Sequence, residues 1–180
     1  MKKNIEAFIK EIVTLILGIL LALWINNWNE NRKDKKYIDQ ISSSITKELT
    51  ETNEDIIYNL VIQKSLIDTL DFYLKNDKIS LLDITIKSKG IYMPTIKINS
   101  FKSLSNSKIE LIAYDKISAY ANIEEQREVL KRKSERLVDF VYSNTKETAN
   151  DKKEFMKILM LDIINTEIAI QKKIESIIKH

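Results

Sequence analysis

Four acidic residues in the first third of the chain have the spacing of a cation site. Glu48, Glu51 and Asp55 are separated by three and four residues, so a helix places them on one face with Glu54 beside them. Carboxylate oxygens so arranged suit a hard cation such as Ca²⁺. The flanking sequence supplies none of the loop carbonyls that complete such sites, and a solvated helix face is the favoured reading. No metal or cofactor is expected. Other chemistry fails on residue type. The one histidine is His180, the final residue and a frayed position for a base or ligand, so Ser-His-Asp, HExxH and Glu-x-x-His arrangements cannot be written. The chain has no cysteine, which removes disulfides, thiolate nucleophiles and Cys-ligated zinc together. Glycine occurs only at positions 18 and 90, too few for a phosphate-cradling loop. No catalytic residue is assigned and no enzyme is expected. With 29 basic and 26 acidic residues well mixed, net charge +3 carries no nucleic-acid footprint.

The elements that would position these residues begin with an apolar run from Ile12 to Ile25. As a helix it rises about 21 Å, short of the roughly 30 Å of hydrocarbon in a bilayer. The flanks extend it. Counting from Ala7 to Trp28 gives about 33 Å, enough to cross with little tilt. Lys10 can snorkel towards headgroups, and Trp24 and Trp28, four apart, share a face at the depth of an aromatic belt, with Arg32 and Lys33 just beyond. No small-x-small cleavage site follows, so a retained transmembrane anchor over residues 1–30 is expected. Thr14, Gly18, Ala22 and Asn26 recur every four residues as a small and polar stripe. Such a stripe permits close helix approach in lipid, and also arises by chance in apolar segments. Lys2, Lys3 and Lys10 on one side balance Arg32, Lys33, Lys35 and Lys36 on the other, so the positive-inside rule returns a tie. The short basic tail suits a signal-anchor and tilts the balance towards an outward domain.

Gly18-Ile-Leu-Leu-Ala-Leu23, Ile25-Asn-Asn-Trp-Asn-Glu30 and the basic stretch Arg32-Lys-Asp-Lys-Lys36 resemble the N-terminal signature of an uncharacterised family of small bacterial single-pass membrane proteins, mostly Gram-negative. Trp24 stands where a polar residue, often Gln, is expected. Phe101-Lys-Ser-Leu104-Ser-Asn-Ser-Lys-Ile109-Glu-Leu-Ile112 is similar to a second, less specific pattern of that family, with Ser107 in place of an expected turn glycine. Tyr114, Ile117 and Tyr120 correspond to the start of its next helix. The resemblance implies architecture and a bacterial inner membrane, and no activity.

Residues 31–180 are expected to form one all-α domain: a long amphipathic helix continuing the anchor, then an antiparallel helical bundle. Two glycines and one proline are few for a sheet protein. Ile38, Ile41, Ile45 and Leu49, then Ile56, Leu60, Ile67, Leu70 and Leu74, form an apolar stripe with a polar waist between, and Asn76-Asp77 gives the first break. Without glycine or proline before Lys89, one helix can leave the bilayer and enter the domain. Over residues 78–100 two readings stand. Ile84-Thr-Ile-Lys and Ile96-Lys-Ile-Asn around Lys89-Gly90 resemble a hairpin; a helix capped by Ser80, followed by an extended loop through Pro94, is favoured. A helix over Tyr114–Lys146 should bury Ile117, Tyr120, Ile123, Leu130, Leu137 and Val141, with Glu124 to Arg136 as a solvated charged face carrying pairs such as Glu128 with Lys131 and Arg132. The last helix, capped by Asp151, is apolar on nearly all faces. Met156 and Met160 read as core filler, and Tyr92, Phe101, Tyr114 and Tyr120 as bundle packing in preference to a pocket lining.

These features suggest a non-enzymatic, membrane-anchored scaffold or sensor-like module that self-associates, with lipid and an unidentified protein as partners. The short anchor and its stripe motivate an alternative, a membrane-perturbing effector of toxin or phage-defence type acting through clustered helices.

Overall fold

The computed structural model describes residues 2–179, with side chains from Phe8 to Lys179. His180, set aside above as a base, and the side chains of Lys2, Lys3 and Ala7 lie outside that set. The described chain is all-helical: α1 (Lys2–Phe72), α2 (Leu81–Lys87), α3 (Asn99–Ser105), a 3₁₀ turn (Ile109–Leu111), α4 (Tyr114–Ser143) and α5 (Asn150–Ile178). It divides into two compact units, Met1–Ser42 and Ser43–His180.

The first unit is the leading part of α1. It contains the one described helical stretch long and apolar enough to cross a membrane, and none of that stretch is buried. The side chains from Phe8 to Lys33 are all exposed, Leu17 and Leu21 by 60% each.

The second unit is a bundle of α4, α5 and the remainder of α1. Its core follows one rule on each helix. On α1 the buried residues are Ile45, Leu49, Thr52, Ile56, Asn59, Gln63, Leu66 and Leu70, an unbroken alternation of four and three. Burial on α5 runs through Lys153, Met156, Met160, Ile163, Glu167, Ile170 and Ile174 in the same rhythm. Tyr120, Ile123, Leu130, Leu137 and Val141 continue it on α4, while Ile117 is only half-buried. Cross-helix contacts fix direction. Gln63 meets Glu167 and Asp71 meets Lys157, so α1 and α5 are antiparallel. Lys133 meets Asp162 and Phe140 meets Phe155, so α4 and α5 are antiparallel too.

The segment between α1 and α4 resolves as the short helix and extended loop. Ser80 Oγ accepts the Asp83 N–H at 3.2 Å while Asp83 Oδ2 accepts the Ser80 N–H at 3.0 Å, a complete capping box on α2. The α4–α5 connection helps that end, because the Leu81 and Leu82 N–H groups donate to Glu147 O (3.0 Å) and Thr145 O (3.1 Å). Lys89 (φ 68°) and Gly90 (φ 110°) turn the chain out of α2. A Cβ at Gly90 would lie 3.3 Å from the Tyr92 ring. Pro94, Ile96 and Ile98 then point inwards in strict alternation along an extended run. That alternation is the feature a hairpin would share; here the partner is a helix, not a second strand.

Two local expectations need correction, and a third observation follows the sequence. The cap residue of α5 is Ala149, with Asp151 inside the first turn, where its charge still complements the helix N-terminus. The charged stretch of α4 is not wholly solvated, since Lys133 reaches Asp162, Arg136 lies 5.8 Å from the Phe155 ring centre and Glu124 pairs with Lys102 at 3.3 Å. Ser107, a residue ill suited to the left-handed turn of the family pattern, keeps a negative φ, its hydroxyl donating to Ser103 O at 2.9 Å.

Candidate functional site

The acidic face of α1 is the docking strip for the extended segment. A segment without helix or strand partners offers backbone N–H groups that need acceptors. Asp55 Oδ2 accepts the Thr95 N–H at 2.7 Å, and Thr52 Oγ1 accepts the Lys97 N–H at 2.9 Å. Glu51 pairs with Lys97 Nζ at 2.7 Å. Glu48 takes both the Ser100 N–H and its hydroxyl at 3.0 Å, capping α3, whose own N-cap residue Ile98 has no side chain that can do so. The expectation of a solvated face therefore holds for the exposed Glu54 and is overturned for Glu48, Glu51 and Asp55, whose oxygens go to the segment and not to a cation. Among the described residues no cluster of His, Asp and Glu has metal-holding geometry. The Lys97 hydrogen bond and charge hold the Glu51 carboxyl below its ordinary value, and Glu51 raises the Lys97 ammonium in return.

About two turns further along α1 the polar contacts go inside. Glu167 is 0% exposed and Gln63 1%. The Gln63 Nε2 group donates to Glu167 Oε1 at 2.8 Å and to the Tyr92 carbonyl at 3.0 Å, joining α1, α5 and the extended segment. Glu167 Oε2 and Gln63 Oε1 are buried acceptors with no donor. Burial pushes the Glu167 carboxyl up to about 7; the Gln63 amide opposes that and the Asp55 charge adds to it. At the far end of α5, Lys153 is equally buried and donates to Asn76 O at 2.7 Å and Tyr73 O at 3.1 Å.

On the first unit, Thr14, Gly18 and Ala22 line a shallow groove along one side of α1, with Lys10, Glu11, Leu15 and Ile19. The Thr14 hydroxyl turns back to Lys10 O at 2.9 Å, so it presents its methyl and a satisfied oxygen. Asn26 Nδ2 reaches Glu30 Oε1 at 3.5 Å, a contact within one helix. Trp24 is 67% exposed and Trp28 56%, and the Arg32 guanidinium lies 5.8 Å from the Trp28 ring centre. Lys10 and Lys33 are exposed.

The chain matches no family model, no curated protein and no solved structure.

The geometry alone therefore sets what the sites can do. The buried seam offers a site for a proton, and the apolar stretch of α1 offers an exposed surface that no described residue covers. Of the four aromatic residues around the middle loop, Phe101 and Tyr120 pack at 5.4 Å in the core, whereas Tyr92 and Tyr114 are exposed. Met156 and Met160 are fully buried, as core filler should be. Periodicity read on apolar residues passed over Thr52, Asn59, Gln63, Lys153 and Glu167. The signal that finds them is the four-three rhythm itself, followed through polar positions.

Proposed function

We propose that this chain is a single-pass, membrane-anchored helical module that works through protein contacts and not by catalysis. The observation carrying this reading is the contrast between the two units. Residues 43–180 bury their own apolar seams, while the apolar stretch before Asn26 leaves every side chain exposed. So many exposed aliphatic side chains on one helix need lipid around them, because apolar surface in water costs about 25 cal/mol per Å². The resemblance of Gly18–Glu30 to a bacterial membrane-protein signature supports a bacterial inner membrane, and the short basic N-terminal tail supports an outward domain. Self-association through Thr14, Gly18, Ala22 and Asn26 fits the groove those small residues leave on α1.

Protease treatment of intact and lysed spheroplasts tests anchoring and sidedness together. A membrane-fraction protein whose bundle is cut in intact spheroplasts supports the full reading. Cleavage only after lysis reverses the orientation, and recovery in the detergent-free supernatant removes the anchor.

A further inference from the structure

We propose that Glu167 is held as a neutral carboxylic acid paired through both oxygens with the Gln63 amide, and that its ionisation unlatches the extended segment around Tyr92 from α1. The argument begins with the two orphaned acceptors. Glu167 Oε2 and Gln63 Oε1 are buried without donors, and they belong to the two partners of one 2.8 Å hydrogen bond. A carboxylate and an amide facing each other bring three acceptor sites and one shared donor group, which leaves this deficit. A single proton on Glu167 Oε2 donates to Gln63 Oε1 and closes an acid–amide ring. Both amide hydrogens of Gln63 are then used, one on Glu167 and one on Tyr92 O.

The surroundings keep that proton in place. From α1 the facing charge is Asp55, of the same sign, with its oxygens already on Thr95 and Asn59. From α4 comes Lys133, committed at 2.8 Å to Asp162 Oδ1 and to Thr166 Oγ1. The extended segment brings the Tyr92 carbonyl and no charged residue between Ile91 and Ile96. Along α5 itself the buried neighbours are Ile163, Ile170 and Thr166, whose hydroxyl proton is already donated to Asp162 O at 2.9 Å. An ionised Glu167 would stand in this apolar setting with one donor, and hydration is its remaining relief. The weakest cover is the extended segment, which has no backbone ladder of its own, whereas α1 and α5 are held by theirs. Lifting it breaks the Gln63–Tyr92 bond first and, through Asp55, loosens Thr95. Ser100, fixed by Glu48, stays.

The test uses the full-length chain in detergent micelles, labelled for NMR. The Glu167 side-chain carboxyl carbon should titrate near neutral pH, with the Gln63 side-chain amide following the same curve. Exchange of the Thr95 amide, divided by its intrinsic base-catalysed rate, should rise about tenfold between about pH 6 and about pH 8, while the Ser100 amide changes less than about twofold. In Glu167→Gln the Thr95 rise should vanish, because an amide keeps both bonds to Gln63 and has no proton to lose. A Glu167 titration in the ordinary carboxylate range overturns the proposal. So does a wild-type Thr95 amide that ignores pH, or an equal rise in Glu167→Gln. If that variant does not fold, the wild-type titration and the Thr95–Ser100 comparison decide the matter alone.

Discussion

Lys153 Nζ lies 2.7 Å from the carbonyl oxygen of Asn76, donating from inside the core to the turn that ends α1. The same ammonium takes Tyr73 O at 3.1 Å, so one side chain from α5 adds a second hydrogen bond to each of two turn carbonyls that already accept the Asn76 and Ile79 N–H groups. A cation there also opposes the helix dipole. Burial pushes the ammonium below its ordinary value, and the Asp77 charge works against that. Lys153→Met keeps the stem and removes the donor. It should lower unfolding stability by roughly 2–3 kcal/mol, the usual loss for hydrogen bonds to a charged group, and fray the last turn of α1. Urea unfolding of the full chain in detergent, with exchange of the Leu74 and Asn76 amides, checks both.

Glu48 makes the corresponding contact at the other end of the extended segment. Because α3 begins without a cap of its own, Glu48→Ala leaves the Ser100 N–H and hydroxyl without an acceptor. The expected cost is about 1–2 kcal/mol, the usual loss for a missing N-cap, with Glu48→Gln losing less because it keeps one oxygen. Faster exchange at Ser100, with α5 amides unchanged, is the signature; a uniform change would instead report global unfolding.

The helices were legible where apolar residues repeat, and the contacts were not. Ser80 and Asp83 announce α2 through adjacent residues, so local sequence suffices. The alternation of Pro94, Ile96 and Ile98 announces an extended run, but its partners Glu48, Thr52 and Asp55 lie more than one helix away in sequence. The polar waist of α1 misled for a physical reason. Thr52, Asn59 and Gln63 occupy seam positions between Leu49 and Leu66, and a polar residue at such a position looks exposed until something across the seam is known to bind it. Glu167 and Lys153 pose the same difficulty on α5. A charged residue in an apolar helix reads as its solvent face, and their partners are 104 and 77 residues distant.

Stability should depend on pH with an unusual sign near neutrality. Burial pushes the Glu167 carboxyl up to about 7 in the folded chain against its ordinary 4.5, so the folded state binds the extra proton between those limits. Its contribution is fully present below about 4.5 and is lost as pH rises through about 7, a span worth roughly 3 kcal/mol. Glu51 and Asp83 act in the other direction and in another window. Their lowered values favour the folded state above the ordinary carboxylate range and lose that effect only as pH falls below it. Urea midpoints taken at intervals across this range should decline towards neutral pH in the wild type and stay level in Glu167→Gln.

The proposed anchoring by the first unit predicts that a charge there is costly. Leu17 is mid-run and exposed in the chain's own fold, so Leu17→Arg disturbs no intramolecular packing. Placing arginine at the centre of a spanning helix costs about 2.5–3.5 kcal/mol of insertion free energy. The variant should therefore shift from the membrane pellet towards the soluble or degraded fraction after carbonate extraction. The same change at the solvent-facing position Lys64 should have no such effect.

Gly18 allows self-association to be separated from folding. A Cβ built at this residue meets nothing within 4 Å, so the first atom of a larger side chain finds room in the chain's own fold. With helicity followed separately, a change in dimer signal for Gly18→Ile reports on what lies across the groove, lipid or another helix. Lipid accommodates isoleucine readily, whereas a close helix partner would clash with it across the Thr14–Gly18–Ala22 groove. Gly18→Ile should weaken dimerisation by about tenfold or more in a two-hybrid or energy-transfer assay in membranes, with the far-UV circular dichroism unchanged. Leu21→Ile is the matched control at a neighbouring position outside the groove lining. Equal dimer signal in both variants would assign Gly18 to the lipid face and remove the Thr14–Gly18–Ala22 groove as the dimer interface.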